Sequence, residues 1–90
     1  MDRYDEADAD LQTAWFISYR SLGANDPRTV QFVTERGMVR IAQGQATLGL
    51  EHLRKAESLT AGSLPEEHPL RQQIMGAIWA GLELQKRLGT

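Results

Sequence analysis

Pro27 and Pro69 stand 42 residues apart, and the chain around them keeps the same interval. Ser21-Leu22 leads into the first proline as Ser63-Leu64 leads into the second. The offset also carries Ala7 onto Gly49, Leu11 onto Leu53, Ala14 onto Ala56 and Ile17 onto Leu59. Small residues land on small ones, and large apolar residues on large apolar ones. A period of about 20–50 residues is the mark of stacked supersecondary units, none of which buries its apolar face alone. A chain of 90 residues then has room for one small domain.

The units are helical. Tyr4, Ala7, Leu11 and Ala14 recur at helical spacing, continued by Ile17 and Ser18, with Trp15, Tyr19 and Leu22 as a second stripe. A first helix is therefore expected from about 2 to 22, ended by Gly23. Asp26 is placed to accept a hydrogen bond from a free backbone N–H, and Pro27 suits the first helical position, so a second helix is expected over 27–42. Val30, Val33, Gly37 and Ile41 line its inner face, with Phe32 and Val39 nearby. After the break at Gln43-Gly44, a third helix is expected over 45–60 with Ala46, Gly49, Leu53 and Ala56 inward. His68-Pro69 starts a fourth over 69–88, where Ile74, Ile78 and Leu82 form one line and Met75 and Trp79 another. Gly76, Ala77, Ala80 and Gly81 make a small-residue face beside them, continued by Leu84. No segment alternates with period two, so the fold class is all-α, built from antiparallel helical hairpins. Glycine inside a helix costs about 1 kcal/mol relative to alanine. Facing glycines at 37 and 49, where two backbones approach closely, explain why both are kept.

The composition narrows the possible roles. Apolar residues make up 41% and charged residues 24%, ordinary for a globule, and the net charge of −2 argues against a nucleic-acid binder with a basic face. Without cysteine there is no disulfide and no thiolate metal site. The longest uncharged run, Gln72 to Leu82, falls short of the ~18 apolar residues of a membrane span. The acidic start does not read as a signal peptide, so a cytoplasmic location is expected. His52, on the outer side of the third segment, and His68, in the linker, lack metal-ligand spacing. No phosphate loop is present, and no set of groups stands out as catalytic. A non-enzyme with no metal and no cofactor is expected.

The 42-residue register resembles the tetratricopeptide repeat, two antiparallel helices per unit with small residues at their crossing. Gly37, Gly49-x3-Leu53 and Ala56 match the family's small-small-large-small set, and Ala7-x3-Leu11 with Ala14 matches half of the preceding unit. The linkers Leu22 to Pro27 and Leu64 to Pro69 look like the kinesin-light-chain-like branch, which recurs in bacterial signalling proteins. The resemblance implies a short right-handed array: half a unit over 1–22, a full unit over 26–61, and a half unit or cap over 65–90. The sequence departs from the family at Arg36 and Arg40, where large apolar residues are expected, and at Trp79, which the offset puts at a small-residue position.

The same resemblance implies a protein-interaction scaffold with a concave groove. Its lining would be Gln31, Thr34, Glu35, Met38 and Ile41, joined by Gln73, Ala77, Ala80 and Leu84. The asparagines and basic clamp used for extended peptides are missing, so an apolar peptide or a helix fits better. Alternatively, these residues only pack the hairpins together. A second hypothesis is homo-oligomerisation, for instance as a homodimer, through exposed edge helices bearing Trp15, Phe16, Tyr19, Trp79 and Leu82. Two local features stay open. Asp2, Asp5, Glu6, Asp8 and Asp10 support a helix start or form a patch for a basic partner. Arg36 and Arg40, four apart, are solvated or paired with nearby acids, or grip a partner's carboxylates.

Overall fold

The computed structural model describes residues 3–89. Four helices account for most of them: α1 (Arg3–Leu22), α2 (Pro27–Ala42), α3 (Ala46–Thr60) and α4 (Pro69–Leu88), with no strand among the described residues. Met1, Asp2 and Thr90 lie outside that range, and with them the expected start of the first helix at residue 2.

The helix ends follow from their residues. The Asp26 carboxylate accepts the Arg28 N–H at 2.9 Å, and Pro27 opens α2. At α4 the imidazole Nδ1 of His68 accepts the Leu70 N–H at 3.1 Å ahead of Pro69, a histidine doing the work usually given to aspartate or serine. Both cap residues hold the extended backbone such a position needs. Gly44 turns the chain between α2 and α3 at φ +80°, a region costly for any residue with a Cβ. The third helix begins one residue later than expected, with Gln45 at the N-cap position, where its side chain makes no capping bond and instead accepts from Arg40.

In the array, α2 lies against all three other helices, α3 against α2 and α4, and α1 against α2 alone. The particle is flat, 38 × 32 × 17 Å. Its core is Val30, Val33, Ala56, Leu70 and Ile74, with Trp15, Leu59, Leu64 and Ile78 packed around them. Leu53 is fully buried in the α2–α3 hairpin.

Gly37 and Gly49 do face each other. A Cβ on Gly37 would lie 3.1 Å from the Gly49 carbonyl oxygen, and a Cβ on Gly49 would lie 2.9 Å from the Gly37 carbonyl oxygen. Leu53 covers Gly37 and Ile41 covers Gly49. A third close approach is at Gly81, where a Cβ would meet Ile41 at 2.6 Å and Leu50 at 2.7 Å. The small-residue face of α4 is thus split: Gly81 packs into the hairpin, while Gly76 and Ala80 stay exposed.

Candidate functional site

The helices that position the site are α2 and α4. Both begin at a proline behind a capping side chain, so they start in the same repeat register. Gln31 and Gln73, also 42 apart, meet across them: the Gln31 amide donates to Gln73 Oε1 at 3.0 Å and to Glu35 Oε1 at 3.3 Å. Gln73 Nε2 in turn donates to Met38 Sδ at 3.6 Å. On one side of this bridge, between α2 and α4, is an open cleft of about 420 Å³ lined by Met38, Ile41, Ala42, Gln73, Gly76, Ala77 and Ala80. No charged residue lines it. On the other side a second hollow of about 420 Å³ includes Arg28, Phe32, His68 and Leu70.

The structure brings together Met38, Ile41, Gln73, Ala77 and Ala80 from the expected groove and adds Ala42 and Gly76. Gln31 and Glu35 belong to the polar bridge instead. Two expectations are corrected. Thr34 is 0% exposed, its hydroxyl turned back onto the Val30 carbonyl at 3.0 Å, so it presents nothing to a partner. Leu84 is half-buried and does not line the cleft. Ala42 and Gly76 were legible as the positions one after Ile41 and one before Ala77, but helical spacing gives no reason to prefer them. The cleft left open between α2 and α4 exposes them.

The expected edge residues divide likewise. Phe16, Tyr19, Trp79 and Leu82 are exposed, Trp79 at 65%. Trp15 is not an open edge residue: it packs against the core and stacks on Tyr19 with ring centroids 5.2 Å apart. Ile17 and Met75 are exposed as well.

For the charged cluster the structure supplies the partner that the sequence leaves open. Asp8 is buried on α1 and bound by both arginines: Arg36 Nε donates to Oδ1 at 3.0 Å, and Arg40 Nη2 to Oδ2 at 2.8 Å. Gln43 donates to the neighbouring Asp5 at 2.9 Å. Of the readings open for Arg36 and Arg40, pairing with an acid is the one the structure bears out, and Asp8 is more than helix-start support. Burial acts to raise the Asp8 pKa, but the hydrogen bond and charge of Arg36, with the charges of Arg40 and His52, hold it below the usual carboxylate value. His52 is half-buried beside this cluster and not on an outer surface; burial first, then Arg36 and Arg40, push its pKa down against the opposing pull of Asp8 and Glu51. The signal for the cluster lay in the repeat itself. Asp8 falls where the next unit has Leu50, which is buried against α4. An acid in an apolar position requires a buried counter-charge.

Among the described residues no group of His, Asp or Glu is placed to hold a metal ion, and no helix is long and apolar enough to cross a membrane. No protein-family model matches the chain, and no curated protein or solved structure is significantly similar to it.

Proposed function

We propose that the chain is a non-catalytic interaction scaffold, a tetratricopeptide-like module of a cytoplasmic signalling protein, that holds an amphipathic helix or apolar peptide of another protein in the α2–α4 cleft. The observation that carries this reading is the cleft itself: about 420 Å³, uncharged, and walled by Met38, Ile41, Ala42, Ala77 and Ala80 with the bare backbone at Gly76. Its size lies within the ~300–1,000 Å³ usual for ligand pockets. An apolar face set on such walls gains about 25 cal/mol per Å² removed from water. The polar bridge at Gln31 and Gln73 closes one end with groups that already satisfy each other. The occupant favoured by this lining carries apolar side chains at helical spacing and no charge on that face.

The test is a selection from a helical peptide library on the full chain, with chemical shifts mapping the bound site. Selected peptides should move Met38, Ala77 and Ala80 and lose binding to Ala80→Glu, whose exposed position leaves the fold intact. Shifts confined elsewhere, or peptides indifferent to Ala80→Glu, overturn the reading.

A second reading, homo-oligomerisation, is favoured by one observation: the exposed line Met75, Trp79 and Leu82 on the flank of α4 away from the cleft. Sedimentation at rising concentration checks it; a Trp79-dependent dimer supports it and a strict monomer ends it.

A further inference from the structure

The 42-residue register makes each surface of one unit interpretable from its counterpart in the next. In α3, Gly49, Leu53, Ala56 and Leu59 are the line that receives α2 and its end of the core. Their counterparts in α1 are Ala7, Leu11, Ala14 and Ile17. Among the described residues no helix besides α2 lies against α1 to cover that line. Ile17 is 61% exposed, although its counterpart Leu59 packs against the core.

A hollow of about 540 Å³ opens at the same place, and its walls include Ala14, Ile17, Leu22, Arg28 and Phe32. Moved forward by 42 these become Ala56, Leu59, Leu64, Leu70 and Ile74, all members of the hydrophobic core or packed on it, whereas the two serines of the wall, Ser18 and Ser21, correspond to Thr60 and Ser63 outside it. Of the buried core residues, the two with no counterpart in the hollow are Val30 and Val33, which α2 supplies. The hollow is thus the core of a repeat with one helix left out.

We infer that α1 is a docking face for a helix of a partner protein that carries aliphatic residues three apart, a glycine or alanine four residues later, and basic residues in its C-terminal half. The first part is the pattern of Val30, Val33 and Gly37. The small residue is needed because the Ala7–Leu11 stretch matches Gly49–Leu53, and since Ala7 already carries the methyl that Gly49 lacks, the incoming helix crosses there slightly wider and must bring no side chain of its own. The charge follows from direction. A hairpin-like antiparallel partner sets its C-terminal half beside the N-terminal half of α1, where Glu6 and Asp10 are exposed on the same helical line as Ala14 and Ile17. Opposite charge there attracts, and the dipole of each helix agrees.

A second copy of this chain is a poorer occupant. Its α4 would offer Gln72, Met75 and Trp79 in place of Val30, Val33 and Gly37, putting an indole where the close approach needs no side chain. This face is separate from the α2–α4 cleft, and the inference stands whether or not the cleft binds anything.

A synthetic peptide of residues 26–43 has the required pattern, with Arg36 and Arg40 in its C-terminal half. Added in trans to the full chain, it should bind one-to-one and shift Ala14, Ile17, Leu22 and Phe32. Gly37→Val in the peptide, or Ile17→Glu in the protein, should weaken binding by about tenfold or more. Ile17 is exposed, so its replacement leaves the fold intact, and a circular dichroism spectrum verifies that. Trp79→Ala and Ala80→Glu should leave binding unchanged. Four results would each overturn the inference: no binding, equal binding of the Gly37→Val peptide, insensitivity to Ile17→Glu, or shifts centred on Asp8 and Ser18 that mark exchange with α2 itself. A dimer of the free chain lost on Ile17→Glu would assign the face to a second copy and overturn it too.

Discussion

Replacing Gly49 by alanine sets two opposing quantities against each other. Alanine in a helix interior is favoured over glycine by about 1 kcal/mol. Against this, the new methyl would lie 2.6 Å from Ile41 Cγ1 and 2.9 Å from the Gly37 carbonyl oxygen. A side chain can turn aside, but a helix carbonyl cannot. Restoring ordinary contact at 3.4 Å requires α2 and α3 to part by about half an ångström. Overpacking of this kind costs about 1–3 kcal/mol. The separation also loosens Leu53 over Gly37, which places the cost in the upper part of that range. The net expectation is a loss of roughly 1–2 kcal/mol, or a fall in Tm of about 4–15 °C for a domain this small. Gly76→Ala is the control, because a methyl there meets nothing within 4 Å. It should gain about 0.5–1 kcal/mol. Urea and thermal unfolding followed by circular dichroism measure both. If Gly49→Ala is as stable as the parent, or if both variants gain alike, the close-crossing argument is refuted.

Other perturbations have defined outcomes. Asp8→Asn keeps the shape but leaves Arg36 and Arg40 largely buried without their carboxylate, and should cost roughly 2–3 kcal/mol in urea unfolding. The folded pKa of Asp8 is below the ordinary 3.8, so its stabilisation is complete above that value and fades as pH falls through the lowered one; the Asn variant should lack this acid-side slope. The folded pKa of His52 is also lowered, from 6.5, but for a base this means that the fold disfavours the proton. Stability should be full above about pH 6.5 and decline below it until the folded pKa is reached, and His52→Gln should flatten that decline; an unchanged slope would remove His52 from the cluster. For Gln31 and Gln73, a double-mutant cycle with leucine should give a coupling of about 0.5–1.5 kcal/mol, and additive effects would show that the bridge does not tie α2 to α4.

The helices and their order were legible because their signals are local. Asp26-Pro27, His68-Pro69, Gly23 and Gly44 act on the backbone within a few residues, and the apolar spacing of each segment states which face is inward. The Gly37–Gly49 crossing was legible for a related reason: glycine in a helix is costly enough that two of them, one on each side of a short turn, have few explanations. Most of the cleft lining was legible too, since Met38 and Ile41 share a face of α2, and Gln73, Ala77 and Ala80 share one of α4.

What the sequence determined alone was therefore an all-α chain of four helices with a repeat register and a tight central hairpin, each set by forces acting over a turn or two. Tertiary structure alone decided which charges are buried together, which expected surface residues are covered, and that a cleft stays open between α2 and α4. Asp8 and Arg40 are 32 residues apart, and nothing in either one's neighbourhood names the other. Their pairing exists because α1 lies on α2 at one particular height. Trp15 is covered and Thr34 closed for the same reason: exposure depends on which neighbouring helix is present, and that is a property of the packed array rather than of any segment's own pattern.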